Sequence, residues 1–389
     1  MKTKKMTGMG ACLAAALLAL TACGEPERTW SGLNRSDFQT VVDGQPTDLY
    51  VLRGRGGMEV CVTNYGARVV SVWVPDAKGR YADVVCAFDS IGRYLAVRQN
   101  FGATIGRYIG RIRDARFTLD GVEHHLMANK DTHCAHGGEP GFASRIWQAE
   151  RLSRESVRMT YLSPDGENGF PGNLRVSLTY TVTPDGGLDL RYEAQTDRPT
   201  VLNLSHHSFF NISGQMDTSV EDQRLYVCAD AFTPYDSLRC VTGEIRPVDG
   251  TPMDLRTPVR IGDHIDDDDP QLRLTGGYDH TWMLGTGGDD TRLAASVDDP
   301  VSGRRLEVYT TEPAIQVYTA NGLKGKMKGK GGIAYPRRAA ICLETMHPQD
   351  APNQPNFPST VLRPGETYTS HTLYRFTTTA TPTAVSARR

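Results

Sequence analysis

The chain has 389 residues, with 43 Lys and Arg against 45 Asp and Glu, a formal net charge of −2 and 39% hydrophobic side chains. That balance, with no basic cluster, excludes nucleic acid as a partner. Eight cysteines lie dispersed without close-paired spacing, so the sequence assigns no disulfide.

In chain order, Lys2, Lys4 and Lys5 precede an apolar stretch over residues 11–20 that is too short to span a bilayer. Residues 1–22 therefore read as an export signal. The stretch ends in Leu20-Thr21-Ala22-Cys23, which resembles the lipobox of bacterial lipoproteins and implies a lipid on Cys23. Residues 23–36 then read as the lipidated cysteine and a polar tether, and residues 37–380 as one domain. Loss of the three signal lysines takes the formal charge from −2 to −5. The expected location is outside the cytoplasm, with the chain anchored in the outer membrane and facing the periplasm, because Gly24 offers no acidic retention signal. No second hydrophobic run appears, so the membrane is met only through the anchor. A monomer is expected.

Beyond the tether the dominant signal is alternation with period two. Asp120-Gly121, between Phe117-Thr118-Leu119 and Val122, predicts a tight hairpin turn. A strand is predicted over residues 157–162. Leu174, Val176, Leu178, Tyr180 and Val182 alternate with polar side chains, and after Pro184-Asp185-Gly186-Gly187 the pattern resumes at Leu188, Leu190, Tyr192 and Ala194. That is a long hairpin with one buried face. The acidic run Asp266 to Asp269 reads as a solvated loop tip, since four consecutive carboxylates lack the alternate-residue spacing of a calcium loop. Further strands fall at 306–311 and 315–318, and no long window shows helical spacing. Strand following strand predicts an all-β fold, a large antiparallel β-sandwich.

Three places could carry chemistry. Along residues 201–211, successive side chains alternate, so Leu202, Leu204 and His206 share one face while Asn203, Ser205, His207 and Phe209 share the other. At 339–345 an apolar run delivers the carboxylate of Glu344, and a carboxylate is rarely buried without a partner or a purpose. His133-Cys134-Ala135-His136-Gly137-Gly138 brings two histidines beside a glycine pair, with spacing too loose for a zinc site. The spacing Gly102 to Gly106 lacks the Lys-Ser/Thr pair of a phosphate loop.

These segments resemble the aldose 1-epimerases, or galactose mutarotases. Phe101 to Ile112 is similar to that family's FGxxxGRxxNRI, His136-Gly137-Gly138 to LHGG, and Gly169 to Leu174 to GYPGNL. Asn203 to Asn211 is similar to NLTNHSYFN, Tyr278-Asp279-His280 to FDH, and Pro313 to Thr319 to PGxQFYT. Leu343-Glu344-Thr345, with the Pro352 to Pro358 segment after it, completes the order. Each motif alone is weak, and their shared order is what makes the resemblance specific.

The resemblance implies a β-sandwich with the sugar in an open cleft, and neither metal nor cofactor. It implies Glu344 as general base, His207 as general acid, and Arg111, His136, Asp279 and Gln316 as sugar contacts; Phe209 joins them from the His207 face. The substrate would be a free aldohexose such as glucose or galactose, and the reaction exchange of its anomers. Exchange moves one proton off the C1 hydroxyl and one onto the ring oxygen, so one acid and one base suffice, set on opposite sides of the hemiacetal. A carboxylate beside His207 would favour its imidazolium form. Three positions depart from the family: Gly110 where it has Asn, Met346 where it has Gln, and His206 where it has Asn. A glycoside hydrolase using Asp279 with Glu344, and a carbohydrate-binding module, stay open as alternatives. A sugar-phosphate epimerase is disfavoured because no cation beyond Arg111 can be placed in the cleft.

Overall fold

The computed structural model of the chain describes residues 26–379, so the expected export signal and Cys23 lie outside the described residues. Its centre is a nine-stranded antiparallel sheet whose long members are Ser156–Ser163, Leu174–Val182, Gly187–Thr196, Tyr368–Thr378 and Arg304–Thr310. The predicted hairpin pairs Leu174 with Thr196 and Val182 with Leu188. Leu174, Val176, Leu178 and Tyr180 are fully buried and the residues between them face outward, so the alternation reports a half-buried strand. The Asp120-Gly121 turn joins Arg116–Leu119 to Val122–His125, with both turn residues at positive φ.

Against this sheet packs a five-stranded one. Six short strands frame the cleft: β1 (Ala103–Ile105), β2 (Arg111–Ile112), β3 (Ser205–His207), β4 (Asp279–Met283), β5 (Ala314–Tyr318) and β6 (Cys342–Met346). In the five-stranded sheet β4 pairs with β5 and β5 with β6. The back of β6 meets the large sheet, where Thr345 Oγ1 and Thr372 Oγ1 lie 2.6 Å apart and the Tyr374 hydroxyl donates to the Leu343 carbonyl at 2.7 Å. One continuous apolar core runs from Leu33 to Phe376 between and beneath these layers.

Three features differ from the sequence reading. Packing begins inside the expected tether: Leu33 is buried in the core, Arg28 bridges Asn34, and Arg35 pairs with Asp48. Short helices exist at Ile91–Ala96, Ile261–His264 and Pro270–Thr275, each too brief to show a 3.6-residue period. The acidic run is more than a loop tip. Asp269 caps the third helix by accepting from the amides of Gln271 and Leu272, and Asp266 pairs with the buried Arg338. The six cysteines among the described residues are free thiols. No helix among these residues is long and apolar enough to cross a membrane.

Candidate active site

Period-two geometry also builds the cleft. On β6 the side chains of Cys342, Glu344 and Met346 point away from the large sheet, because Leu343 and Thr345 point into it. Gln316 lies opposite Glu344 and Thr281 opposite Gln316, so one sheet face presents a row of polar groups. Across from it, β3 pairs with β1, setting His207 opposite Ala103. His206 takes the other face, where its ring meets Tyr180 and its Nδ1 lies 2.9 Å from the Ser208 hydroxyl. Two residues on, Phe209 shares the His207 face and enters the cleft with its ring stacked on His207, centroids 4.9 Å apart and planes 6° from parallel.

The result is a cleft of about 400 Å³ lined by Arg111, His136, His207, Phe209, Asp279, Gln316 and Glu344, every catalytic or sugar-contacting position that the sequence singled out. At its centre His207 Nε2 lies 3.5 Å from Glu344 Oε1. The two side chains are 8% and 3% exposed, so their chemistry is screened from bulk water. Asp279 accepts from Gln316 Nε2 at 2.7 Å, and Gln316 Oε1 accepts from the Thr281 hydroxyl at 2.6 Å, which fixes the amide's orientation. His136 sits at φ +51° between β2 and a glycine pair, and its ring centroid is 5.6 Å from that of His207. A side chain at Gly137 would drive into the Gly106 carbonyl, 2.1 Å away, so the close turn that aims His136 inward requires glycine there.

Two sequence expectations are corrected by this geometry. A gap of 3.5 Å admits no sugar ring, so His207 and Glu344, the expected acid and base, do not stand on opposite sides of a hemiacetal; they lie side by side on the cleft wall. The surroundings also work against the imidazolium that a carboxylate neighbour alone would favour. Burial, with His136 and His206 close by, holds the His207 imidazole well below its usual range. Burial and the Asp279 carboxylate push the Glu344 carboxyl well above its own. His136 is held at about 4 by burial and by Arg111. A neutral imidazole with a neutral carboxyl contains as many protons as an imidazolium with a carboxylate, and the two forms differ by one transfer across the gap.

Several site residues were not found from the sequence. Gln349 accepts from the Arg111 amide at 2.9 Å through Oε1, and its Nε2 donates to the Tyr235 hydroxyl at 2.7 Å. Tyr318, Asn100 and Lys130 also line the cleft, so Arg111 is not its sole cation. Met346 lines it too, an apolar side chain two residues from Glu344. Tyr318 falls inside the Pro313 to Thr319 motif, which could have singled it out, whereas Tyr235, Asn100 and Gln349 lie in segments with no cue that separates them from ordinary loop and strand residues. His133, Cys134 and His136 gather no set of metal ligands; His133 Nδ1 instead accepts from the Asp114 amide at 3.0 Å. The one such group among the described residues is His207, Cys342 and Glu344, whose ligand atoms lie within 4.8 Å of one another.

Comparison with known proteins decides the family. The sequence pattern that defines aldose 1-epimerases matches residues 48–375. The chain belongs to the aldose 1-epimerase family. It is 42% identical over 320 residues to a human protein named galactose mutarotase, covering 82% of this chain and 91% of that one. It is 35% identical over 336 residues to an aldose 1-epimerase of Escherichia coli K12, covering 86% and 96%. Among solved structures, a galactose 1-epimerase from Lactobacillus acidophilus superposes with a TM-score of 0.77 at 27% identity, over 87% of this chain and 97% of that one. An aldose epimerase homologue from C. elegans gives the same TM-score and identity over 85% and 99%. The all-β sandwich with a sugar cleft, expected from the alternation and the motif order, is the fold of this family.

Proposed function

We propose that the cleft exchanges the α and β anomers of free aldohexoses, with Glu344 as general base and His207 as general acid. The observation that carries this is the 3.5 Å pair on the wall of a cleft of about 400 Å³, a size within the range of small-ligand pockets. The hydroxyl oxygen and the ring oxygen of a hemiacetal are bonded to the same carbon. A side-by-side acid and base can therefore reach both at once.

In the ionic form of the pair, Glu344 takes the proton of the C1 hydroxyl while His207 Nε2 donates to the ring oxygen. The C1–O bond of the ring breaks and a carbonyl forms. After rotation about C1–C2 the ring closes on the other face, His207 recovers its proton from the ring-forming hydroxyl, and Glu344 returns its own to the former carbonyl oxygen. Arg111, His136, Asp279 and Gln316 hold the sugar's hydroxyls, and the ring of Phe209 gives the sugar an apolar surface beside His207. A dry wall keeps the proton within the pair until substrate polarises it.

A hydrolase would need its carboxyls on both sides of the scissile bond. Asp279 and Glu344 belong to one sheet, two strands apart, and Asp279 is engaged by Gln316, which argues against that reading. Retention of an acid and a base in contact argues against a module that only binds. Polarimetry on freshly dissolved α-D-glucose and α-D-galactose tests the proposal: the wild type speeds the drift, and Glu344→Gln lowers kcat by about 10²-fold or more. Equal rates in the two proteins would sink it. Aryl glycosides serve as the control, with no release expected.

We further propose that the protein is exported and anchored through a lipid on Cys23 to the outer membrane, facing the periplasm, and that it works as a monomer, since one chain supplies the whole cleft. Because packing has begun by Arg28, residues 24–27 reach at most about 14 Å, which holds the cleft domain close to the membrane surface. Sucrose-gradient fractionation of cells expressing wild type and Cys23→Ser tests the anchor, with release of the variant into the soluble periplasm expected. Light scattering on the detergent-solubilised protein tests the monomer.

A further inference from the structure

The face of β6 that carries Glu344 also carries Cys342, two residues earlier, and the anomer chemistry makes no use of a thiol. Together with His207 Nε2 these groups supply sulfur, nitrogen and oxygen within 4.8 Å of one another. We propose that Cys342, His207 and Glu344 form a binding site for a thiophilic divalent cation, Zn²⁺ or Cd²⁺, whose occupancy shuts the acid–base pair down.

Geometry comes first. Zinc binds sulfur at about 2.3 Å and imidazole nitrogen or carboxylate oxygen at about 2.0–2.2 Å, which in a tetrahedron puts ligand atoms about 3.3–3.7 Å apart. His207 Nε2 and Glu344 Oε1 already stand at 3.5 Å. The sulfur closes the rest by a side-chain shift on the order of 1 Å, the difference between 4.8 Å and that spacing. Three protein ligands leave a fourth position, which can take water or a sugar hydroxyl.

Charge favours the same occupant. A thiolate, a carboxylate and a neutral imidazole around a divalent ion sum to zero, and a neutral complex is what a buried site tolerates. Binding releases two protons to solvent, the thiol's and the one held by the His207–Glu344 pair, because the ligands bind in their deprotonated forms. The sulfur and nitrogen donors select Zn²⁺ or Cd²⁺ over Mg²⁺ or Ca²⁺, which prefer oxygen. Once bound, the ion takes the one lone pair of Nε2, so the imidazole can no longer carry the transferred proton there, and its charge lowers the basicity of the Glu344 carboxylate. That inhibition rests on the proposed function; the binding itself does not.

The test uses the full chain after chelator treatment. Cd²⁺ titration is followed by the ultraviolet cadmium–thiolate charge-transfer band, and Zn²⁺ inhibition by polarimetry. Wild type is expected to show a band saturating at one Cd²⁺ per chain and a rate that Zn²⁺ suppresses and EDTA restores. In Cys342→Ser the band is lost, and Zn²⁺ needed to halve the variant's own rate rises at least about 10-fold, the lower end of what even a supporting residue is worth. Cys342→Ala replaces it if the serine variant does not fold. An equal band in the variant, an unchanged Zn²⁺ sensitivity, or a rate that Zn²⁺ raises overturns the proposal. A band lost with Cys342, in a wild type that never accelerates anomer exchange, sustains the ion site and overturns the functional reading alone.

Discussion

A Cβ atom on Gly110, whose φ is +75°, would stand 2.4 Å from Cγ of Gln349. Position 110 is where the motif resemblance expects Asn, and Gln349 stands where a side chain at 110 would begin. From there Gln349 reaches the Arg111 amide, Tyr235 and Gln316 at once. Gly110→Ala therefore meets two penalties, a left-handed backbone costing about 1–2 kcal/mol and displacement of the amide. The expected result is a fall in kcat/KM of about 10-fold or more, carried mainly by KM, because Arg111 loses its brace. Adding Gln349→Ala to Gly110→Ala removes the overlap, so the double variant should be less impaired than the two single effects multiplied. Strict multiplicativity in polarimetric kcat/KM would show that the two positions do not compete for the same space.

The pair at the cleft centre predicts a broad pH profile. Activity requires one shared proton. With His207 depressed, the second proton binds only well below pH 6.5, so the acid limb lies on the acid side of an ordinary histidine. With Glu344 raised, the last proton leaves only well above pH 4.5, which pushes the alkaline limb up. Asp279 is the charge that raises Glu344. Asp279→Asn should therefore lower kcat/KM overall and also move the alkaline limb to lower pH. A pH profile of the variant whose alkaline limb stays put, or moves up, contradicts the proposed electrostatics.

The sheet, its main hairpin and the residues of the cleft were legible because each is written in local period or motif order. Leu174 to Val182 declares its buried face by alternation, and the same rule separates His207 from His206 before any coordinates are known. What could not be read was distance across the sequence. Gln349 reaches Gly110 over more than two hundred residues, and nothing in Pro348-Gln349-Asp350 distinguishes that amide from a loop glutamine. Protonation was misread for a related reason. A carboxylate neighbour was visible in the motifs, whereas the burial that outweighs it arises only when β3 closes over β6.

Phe209 lies parallel to His207 and edge-on to Phe101, with centroids 4.9 Å and 4.7 Å away. Stacking fixes the plane of the imidazole, and hence the direction in which Nε2 points. Phe209→Leu keeps most of the apolar volume but frees the ring to rotate. A loss of about 10- to 100-fold in kcat is expected, since misplacing a catalytic group by an ångström costs that much. Thermal melting should fall by far less than for Phe209→Ala, which leaves a cavity worth about 3–5 kcal/mol. If Phe209→Leu keeps wild-type kcat, the ring does not position His207.

Arg68 supplies the last test, because it ties the cleft to the fold. Buried at 3% exposure, its guanidinium donates to the carbonyls of Gln99 and Phe101 at 2.9 Å and of Ala143 at 2.7 Å, under the ring of Tyr94. Gln99 lines the cleft, and Phe101 backs Phe209. Arg68→Met keeps the stem but leaves three carbonyls without their donor, each previously bonded to a charged group. Hydrogen bonds of that kind contribute about 1.5–3 kcal/mol, so urea unfolding should show at least about 3 kcal/mol of lost stability. Arg68→Lys retains the charge on a single donor head and should recover only part of it. Assayed well below its melting temperature, the folded fraction of Arg68→Met should still show a lowered kcat, because the Phe101 backbone that seats Phe209 is no longer held. A normal kcat there would confine Arg68 to stability.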